Sequence, residues 1–354
     1  RDLVEGAAAL PVPGLELLKL KSPDEFRYIG KALPIVDMHD MTHGGAMYGA
    51  DTRLPGMKFA AIARPPVVFG KVKSYDAEKT LAVSGVEQVI ELPAPEAPAM
   101  FKPLGGVAVI AGNSWAALRG RDLLSVEWEE GPNADYDSIE YKQTLLDAVR
   151  QPGESLRSQG DVESALGNSA ATVEAEYYAP HLAHASMEPP AAVASVKPDS
   201  CEIWAPSQDP QSLIKMAEQA TGLKPEQIRI NVTLLGGAFG RKSTSDLIAE
   251  AVILSKKLGA PELEQWSRED DIRHEYYHSV SAQKLSAGLD ENGAVTAWRH
   301  RVAYPSIMSI FDASVTRAVA FEAGLAALNV PYDVANLSVE AGEAEAKIRI
   351  GWLR

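Results

Sequence analysis

The stretch 228–242, IRINVTLLGGAFGRK, decides the fold because it joins a strand-like run to a cluster of three glycines. Apolar residues alternate from Ile228 to Leu234, which predicts a strand. A helical repeat then ends at Gly259, with one apolar face at Leu247, Ala251, Leu254 and Leu258. In such a unit, backbone N–H groups can approach an anion without side-chain obstruction, and a helix N-terminus adds its positive dipole end. The unit suggests phosphate binding, and a plain tight turn stays the alternative.

The spacing of these glycines differs from both common nucleotide-binding motifs. Gly236, Gly237 and Gly240 do not fit the G-x-G-x-x-G dinucleotide fingerprint, and no Gly-Lys-Ser/Thr sequence follows them as in a phosphate loop. Arg241 and Lys242 come directly after the loop and are candidates to bind an anionic cofactor.

Composition and charge exclude several classes of protein. The chain has 354 residues with 46% apolar and 23% charged residues, an ordinary globular balance for two or three domains. A net charge of −14 argues against nucleic acid as a partner. The single Cys201 cannot form an internal disulfide or hold an iron–sulfur cluster by itself. No run of about 18 apolar residues occurs that would predict a membrane-spanning helix.

Elsewhere the periodicity predicts a mixture of strands and helices, and so an α+β fold class. In the first part we predict strands at 58–63, 86–92, 107–111 and 123–128, and a helix at 114–119 between the N-cap Asn113 and Gly120. In the second part we predict a connecting helix at 133–159, a strand pair at 191–196 and 201–205, a helix at 210–221, and a hairpin of 281–289 with 294–303. Both ends look abrupt, with a helix-like start and a strand-like run at 348–354, so we expect further segments on each side.

Four stretches in order resemble one family. Residues 235–242, LGGAFGRK, resemble the molybdopterin-contacting Gly-Gly-x-Phe-Gly loop of the xanthine oxidase family of molybdenum hydroxylases. Three others resemble the isoquinoline 1-oxidoreductase branch of that family: 183–189 (AHASMEP), 204–211 (WAPSQDPQ) and 266–271 (WSREDD). Upstream, 28–31 (YIGK) and 53–57 (RLPGM) resemble the start of its α/β hammerhead domain, so the resemblance spans nearly the whole chain.

The resemblance implies a domain organisation and a set of cofactor-binding residues. The expected organisation is a linker at 1–25, an α/β hammerhead domain at 26–132, and at 133–354 a first molybdenum-cofactor-binding α+β domain that is truncated at its C-terminal end. The expected cofactor-binding residues are Gly236, Gly237, Ala238, Phe239, Gly240 and Arg241.

The resemblance also implies an activity and partners. The complete enzyme is expected to hydroxylate N-heteroaromatic compounds or to oxidise aldehydes, with water as the oxygen source and molybdenum carrying the redox step. Bacterial relatives commonly carry the cytosine dinucleotide form of molybdopterin, and iron–sulfur clusters are expected on a small [2Fe–2S] partner subunit. The family's catalytic Glu lies in a Gly-Val-Gly-Glu-like motif that is absent here, so we expect it on a further segment of the large subunit or on another chain. Neither Glu188 nor Glu269 is expected to replace it. Relatives include periplasmic enzymes, and the compartment stays open.

Two departures from the family pattern concern the substrate. If Glu188 is aligned with the family's Glu, Leu182 occupies the place of a Gln that contacts a metal ligand in xanthine-type enzymes, and Ser243 that of a substrate-binding Glu. We therefore predict a pocket wall of Leu182, His184, Glu188 and Ser243 and a more apolar substrate than a purine. For Glu188, a structural role and a role near the cofactor stay equally open.

Two alternative functions are kept. His274-Glu275-Tyr276-Tyr277-His278 matches the H-E-x-x-H zinc hydrolase motif, which needs both histidines on one helix face, although no convincing third ligand follows. A chain without the catalytic Glu could also be a non-catalytic structural subunit. His181 and His184 are predicted to be packed or hydrogen-bonded rather than a metal pair, and 268–271 to be mostly a solvated charged turn.

Overall fold

The computed structural model describes residues 3–324 and 326–352, and the chain divides into two units at residue 46. The first unit contains helices α1 (Val4–Ala8) and α2 (Met38–His43) and the 3-10 turns Leu15–Leu17 and Pro23–Glu25. None of its described residues is buried. The predicted linker at 1–25 falls within this unit, and its boundary stays a prediction.

The second unit contains most of the secondary structure. Its strands are β1 (Lys58–Ala63), β2 (Lys71–Asp76), β3 (Val86–Leu92), β4 (Gly106–Ala111), β5 (Ser125–Glu129), β6 (Glu154–Gln159), β7 (Ala171–Ala179), β8 (Ala191–Val196), β9 (Cys201–Ala205), β10 (Ile228–Val232), β11 (Glu262–Gln265), β12 (Tyr277–His278), β13 (Ser281–Leu289), β14 (Val295–Ala303), β15 (Asn336–Ala341) and β16 (Ile350–Gly351). Its helices are α3 (Glu78–Leu81), α4 (Ser114–Leu123), α5 (Ser138–Arg150), α6 (Val162–Gly167), α7 (Pro210–Thr221), α8 (Asp246–Leu258), α9 (Arg268–Arg273) and α10 (Ala320–Ala323). The predicted α+β class is confirmed.

A seven-stranded mixed sheet forms the centre of the second unit, in the order β10-β9-β8-β11-β1-β4-β3. Every residue of β4 is buried, as the continuous apolar run GVAVIA requires of a strand covered on both faces. The sheet contains strands from both sides of the predicted domain boundary at 132. The strands before the boundary meet those after it where β1 pairs with β11. That boundary stays a prediction, but the two parts share one sheet.

A second sheet of five strands has the order β6-β15-β14-β13-β7. Its hairpin of β13 and β14 is the predicted one, and the Asp290 side chain closes the turn by accepting hydrogen bonds from the N–H groups of Asn292 and Ala294. Helix α5 packs on this sheet through the buried Leu145 and Val149.

Helix α7 forms at its predicted bounds because both ends carry strong local signals. The Asp209 side chain accepts a hydrogen bond from Ser212 N–H, Pro210 starts the first turn, and Gly222 ends the helix at φ +79°. Its buried residues Leu213 and Ala217 join the core cluster that α8 forms with β8 and β9.

Two helix predictions were wrong in extent. Helix α4 starts at the N-cap Asn113 as expected but continues through Gly120 to Leu123. A Cβ at Gly120 would lie 2.9 Å from side-chain atoms of Val109 and Val86, so this glycine permits close packing and does not end the helix. In the predicted connecting helix at 133–159, only Ser138–Arg150 is helical, because Pro152 and Gly153 interrupt it and β6 then pairs with β15.

No helix within residues 3–324 and 326–352 is both long enough and apolar enough to cross a membrane.

Candidate functional site

The glycine loop, residues 236–240, follows β10 and leads into a 3-10 turn, Arg241–Ser243, before α8 begins. The helical repeat that was predicted to end at Gly259 therefore begins only after this turn, at Asp246. The first turn of α8 contains Asp246, whose buried carboxylate pairs with Arg241 and Arg349. The Asp246 carboxylate thus lies at the positive N-terminal end of α8. That end of the helix is therefore not available to an external anion.

The backbone of the glycine loop demands glycine at specific positions. Gly237 and Gly240 have φ values of +89° and +106°, in the region that glycine favours, and Phe239 adopts φ +54°. A Cβ at Gly236 would lie 2.5 Å from Glu188 Cβ, and one at Gly240 would lie 2.2 Å from the Trp352 carbonyl oxygen. The loop therefore lies directly against other parts of the chain on one side.

Some backbone amides of the loop are hydrogen-bonded to neighbouring side chains and others are not. Gly236 N–H donates to Glu188 and Gly240 N–H to the Gln208 side chain. Within the part of the chain that the structure describes, the three successive N–H groups of 237–239 donate no hydrogen bond. Successive unpaired amides in a turn with left-handed residues form a concave site for an anion.

Glu188 accepts hydrogen bonds from the first residue of the glycine loop, Gly236, and from Lys242, which follows the loop. Its Oε1 accepts from Gly49 N–H at 2.8 Å, and its Oε2 accepts from Gly236 N–H at 3.1 Å and from Lys242 Nζ at 2.5 Å. Lys242 is fully buried, and burial lowers its pKa although Glu188 opposes that shift. Of the two roles left open for Glu188, the contacts favour the structural one.

The segment 185–187 faces the loop and is itself constrained. Ala185 has φ +46°, and the buried Ser186 hydroxyl has no hydrogen-bond partner in the described chain. The Ser186 Cβ lies 3.5 Å from where a Gly237 Cβ would be. Arg268 donates to the carbonyls of Ser186 and Met187, so the prediction of a solvated turn was wrong for this residue.

Asp271 also contradicts the solvated turn. Its carboxylate is buried and pairs with Arg268. Burial, followed by the neighbouring Glu275 carboxylate, raises the pKa of Asp271 to about 6.

Two exposed apolar side chains lie at or beside the unpaired amides of 237–239. Phe239 is 53% exposed and Met187, whose backbone N lies beside Gly237, is 88% exposed. Leu182, on the same segment of chain as Met187, is 49% exposed. Large apolar side chains next to unpaired amides are typical of a surface that a ligand covers. Leu182 is held through its backbone, whose carbonyl accepts from His278 N–H at 2.9 Å.

His184 and Ser243 both contact Trp352, the residue against which Gly240 packs. His184 Nδ1 lies 2.9 Å from Glu275 Oε2, and its Nε2 lies 2.9 Å from the Trp352 carbonyl oxygen. The Trp352 indole N–H donates to Ser243 Oγ at 2.6 Å, and that hydroxyl donates to the Gly240 carbonyl. Both side chains are therefore occupied in supporting the loop.

Arg241 is also directed into the protein. Its side chain is 1% exposed and forms a two-pronged ion pair with Asp246 at 2.9 and 3.0 Å. Burial opposes ionisation of Asp246, but Arg241 and Arg349 lower its pKa to about 2. The predicted contact of Arg241 with an anionic cofactor is not favoured by this geometry, because its charge is already paired.

The zinc motif is contradicted by its local structure. Helix α9 ends at Arg273, His274 follows the helix, and His278 lies in β12, so the two histidines do not share a helix face. Burial lowers the pKa of His274 to about 3, and Glu275 is bonded to His184. Among residues 3–324 and 326–352, no three His, Cys, Asp or Glu side chains are grouped to bind a metal ion.

His181 and His184 are each hydrogen-bonded within the chain, as predicted. Val280 N–H donates to His181 Nδ1, whereas His184 contacts Glu275.

Gln208 and Trp352 support the loop but were not predicted. Gln208 lies in the family-like stretch 204–211, which could have identified it. Trp352 is more than one hundred residues from Gly240, and no local signal connects them.

Comparison with known proteins gives the loop a family context. Residues 148–344, more than half of the chain, match the molybdopterin cofactor-binding domain. A nicotinate dehydrogenase chain of Pseudomonas putida is 26% identical over 343 residues, which cover 95% of this chain and 28% of that protein. The beta chain of isoquinoline 1-oxidoreductase from Brevundimonas diminuta is 28% identical, covering 86% of this chain and 38% of that protein.

Solved structures have the same fold. The aldehyde oxidoreductase of Desulfovibrio desulfuricans aligns with a TM-score of 0.71 and 17% identity, covering 95% of this chain and 41% of that one. The chain thus spans less than half the length of these three proteins. It belongs to the molybdopterin cofactor-binding domain family and corresponds to the large subunits of molybdenum hydroxylases related to xanthine oxidase.

Proposed function

We propose that the glycine loop binds the molybdopterin of a molybdenum hydroxylase that hydroxylates N-heteroaromatic compounds or oxidises aldehydes, with water as the oxygen source. The observation that carries the proposal is the row of three amides at 237–239, unpaired within the described residues, in a chain of the molybdopterin-binding family. The cofactor residues are Gly236, Gly237, Ala238, Phe239 and Gly240, with Arg241 stabilising the loop through Asp246.

The residues present fit an anionic, partly flat cofactor. Gly237 N–H, Ala238 N–H and Phe239 N–H offer donors without a side chain at Gly237 to obstruct them. The Ser186 hydroxyl on the facing segment, unpartnered within the described chain, is a further polar atom that a bound group can satisfy. When bound, the molybdenum cofactor supplies the two-electron redox chemistry.

The substrate class follows from exposed apolar side chains. Met187 and Phe239 present apolar surface beside the unpaired amides, and Leu182, which the resemblance assigns to the pocket wall, is also exposed and apolar; together they favour a flat, weakly polar ring. Ser243 offers no free hydroxyl, because Trp352 and Gly240 already occupy it. A purine-like substrate that needs a charged partner at this position is therefore disfavoured.

The remaining parts of the enzyme are proposed from the same relationship. The nicotinate dehydrogenase and isoquinoline 1-oxidoreductase chains compared above are each one subunit of their enzymes. We assign the catalytic Glu to the rest of the large subunit, the iron–sulfur clusters to a small [2Fe–2S] partner, and the cytosine dinucleotide form to the cofactor.

Labelled water tests the proposal. The complete enzyme is incubated with an artificial electron acceptor and either isoquinoline, nicotinate, hypoxanthine or benzaldehyde in ¹⁸O-enriched water. We expect mass spectrometry to find the label in the hydroxylated heteroaromatic ring or the carboxylic acid, with little turnover of hypoxanthine. Product without the label contradicts water as the oxygen source. No turnover of any heteroaromatic or aldehyde substrate contradicts the proposed activity and leaves a non-catalytic structural role as the account.

A further inference from the structure

We infer that Glu188 is a positioning residue that sets the conformation of the glycine loop, and through it the retention of the bound cofactor. The inference rests on the proposed function for the identity of that cofactor. Glu188 lies on the segment that faces the loop, and its carboxylate joins three places in the chain: Gly49, Gly236 and Lys242.

The three partners of Glu188 are all hydrogen-bond donors. Gly49 and Gly236 offer backbone N–H groups and Lys242 an ammonium group, and the carboxylate can accept from all of them because it has no hydrogen of its own. A glutamine has one accepting oxygen, so its amide N–H₂ would face at least one of these donors. The isosteric replacement therefore breaks the arrangement without creating a cavity.

Lys242 makes the negative charge of Glu188 necessary. Its side chain is 0% exposed, and among the described residues its ion-pair partner is Glu188. Leaving a buried ammonium without its counter-charge is strongly unfavourable. Since Gly236 is the first residue of the loop and Lys242 lies two residues after its end, relaxation around Lys242 shifts the amides between them.

Glu340 provides a matched control. Its Oε2 also accepts from a backbone N–H, that of Gly153 at 3.1 Å, and from a cation, Arg301 Nε at 2.8 Å. Its side chain is 14% exposed, against 11% for Glu188. Glu340 lies in the five-stranded sheet, and the hydrogen bonds of its carboxylate within the described residues go to Gly153, Arg301 and Ser338, not to the glycine loop.

Hydrogen–deuterium exchange of the complete enzyme, purified with its partner subunits, reads the loop directly. In E188Q we expect exchange of the amides within 236–242 to accelerate about tenfold, the size of effect that a lost hydrogen bond to a charged group produces. Peptides from β14 and β15 should be unchanged. In E340Q the pattern should be reversed, with faster exchange in β6 and β15 and a normal loop.

Two further readouts separate positioning from a purely structural role. Molybdenum per enzyme after extended dialysis should fall several-fold in E188Q and stay at the wild-type level in E340Q. The double variant E188Q/K242M should recover thermal stability, because the unpaired ammonium is gone. It should not recover slow amide exchange in the loop, because the N–H groups of Gly49 and Gly236 still compete for one oxygen.

The inference is overturned if E188Q exchanges like the wild type at 236–242, or if E340Q loosens the loop equally. It is also overturned if E188Q loosens the loop yet keeps its molybdenum. Failure of the proposed function is distinguishable, since the wild-type enzyme would then contain no molybdenum at all.

Discussion

Replacing Gly240 by alanine tests the packing of the glycine loop against Trp352. The new Cβ would lie 2.2 Å from the Trp352 carbonyl oxygen, so the loop or the strand β16 segment must move by roughly 1.5 Å to reach ordinary van der Waals contact. Such overpacking costs about 1–3 kcal/mol. The φ of +106° adds roughly 1–2 kcal/mol of backbone strain for a residue with a side chain. We expect a total destabilisation of about 2–5 kcal/mol.

Gly222 is the matched control for this substitution. It also has a positive φ, +79°, but a Cβ there would meet nothing within 4 Å. Gly222→Ala should therefore cost only the backbone strain of about 1–2 kcal/mol. The free energy of unfolding of both variants is measured by urea titration with tryptophan fluorescence. Equal destabilisation by the two substitutions refutes the reasoning, because the contact with Trp352 would then contribute nothing.

Three other predictions concern the core. Burial, against the opposing charge of Arg64, raises the pKa of Glu264 to about 8 from an ordinary 4.5. The neutral form of Glu264 stabilises the folded state fully below the unfolded pKa, and this stabilisation is lost as the pH rises through the folded pKa. The free energies of unfolding measured by urea titration at about pH 6 and pH 9 should therefore differ less in Glu264→Gln than in the wild type. Leu213→Ala should lower the free energy of unfolding by about 2–5 kcal/mol, measured by urea titration, because the side chain is only 2% exposed. A thiol reagent should label Cys201 slowly in the native enzyme and rapidly in urea, since burial raises its pKa to about 11; fast native labelling counts against a buried Cys201.

Local features of the fold were predictable from the sequence because their causes are local. Helix α7 has its cap residue, proline and terminal glycine within one short stretch, and the β13–β14 hairpin has its turn residues between two alternating runs. Gly120 was misread because the same residue type serves as a helix end and as a close-packing position. Only the neighbouring Val86 and Val109 distinguish the two.

The arrangement of the sheet could not be predicted from periodicity. Strand β11 lies between β8 and β1, so residues far apart in the chain become neighbours. Periodicity identifies a strand and its buried faces but not its partner. The domain boundary predicted at 132 crosses this sheet for the same reason.

The candidate site was predicted in part. The resemblance identified the glycine loop and Glu188, but not which side chains face outward. Arg241 and Ser243 follow the loop in sequence and were expected near a ligand, yet both are occupied by internal partners. The H-E-x-x-H match failed because the helix ends one residue before His274. The outcomes for Arg241 and Ser243 depend on contacts with Asp246 and Trp352, which no short motif encodes.

The central claim is that this chain positions a molybdenum cofactor, and elemental analysis of the purified native enzyme tests it most directly. Inductively coupled plasma mass spectrometry is combined with intact masses of every chain present. We predict close to one molybdenum per chain of this sequence, with a pterin and with the Gly-Val-Gly-Glu-like motif on the same or a co-purifying chain. Stoichiometric zinc without molybdenum, or neither metal nor pterin in the native preparation, contradicts the account.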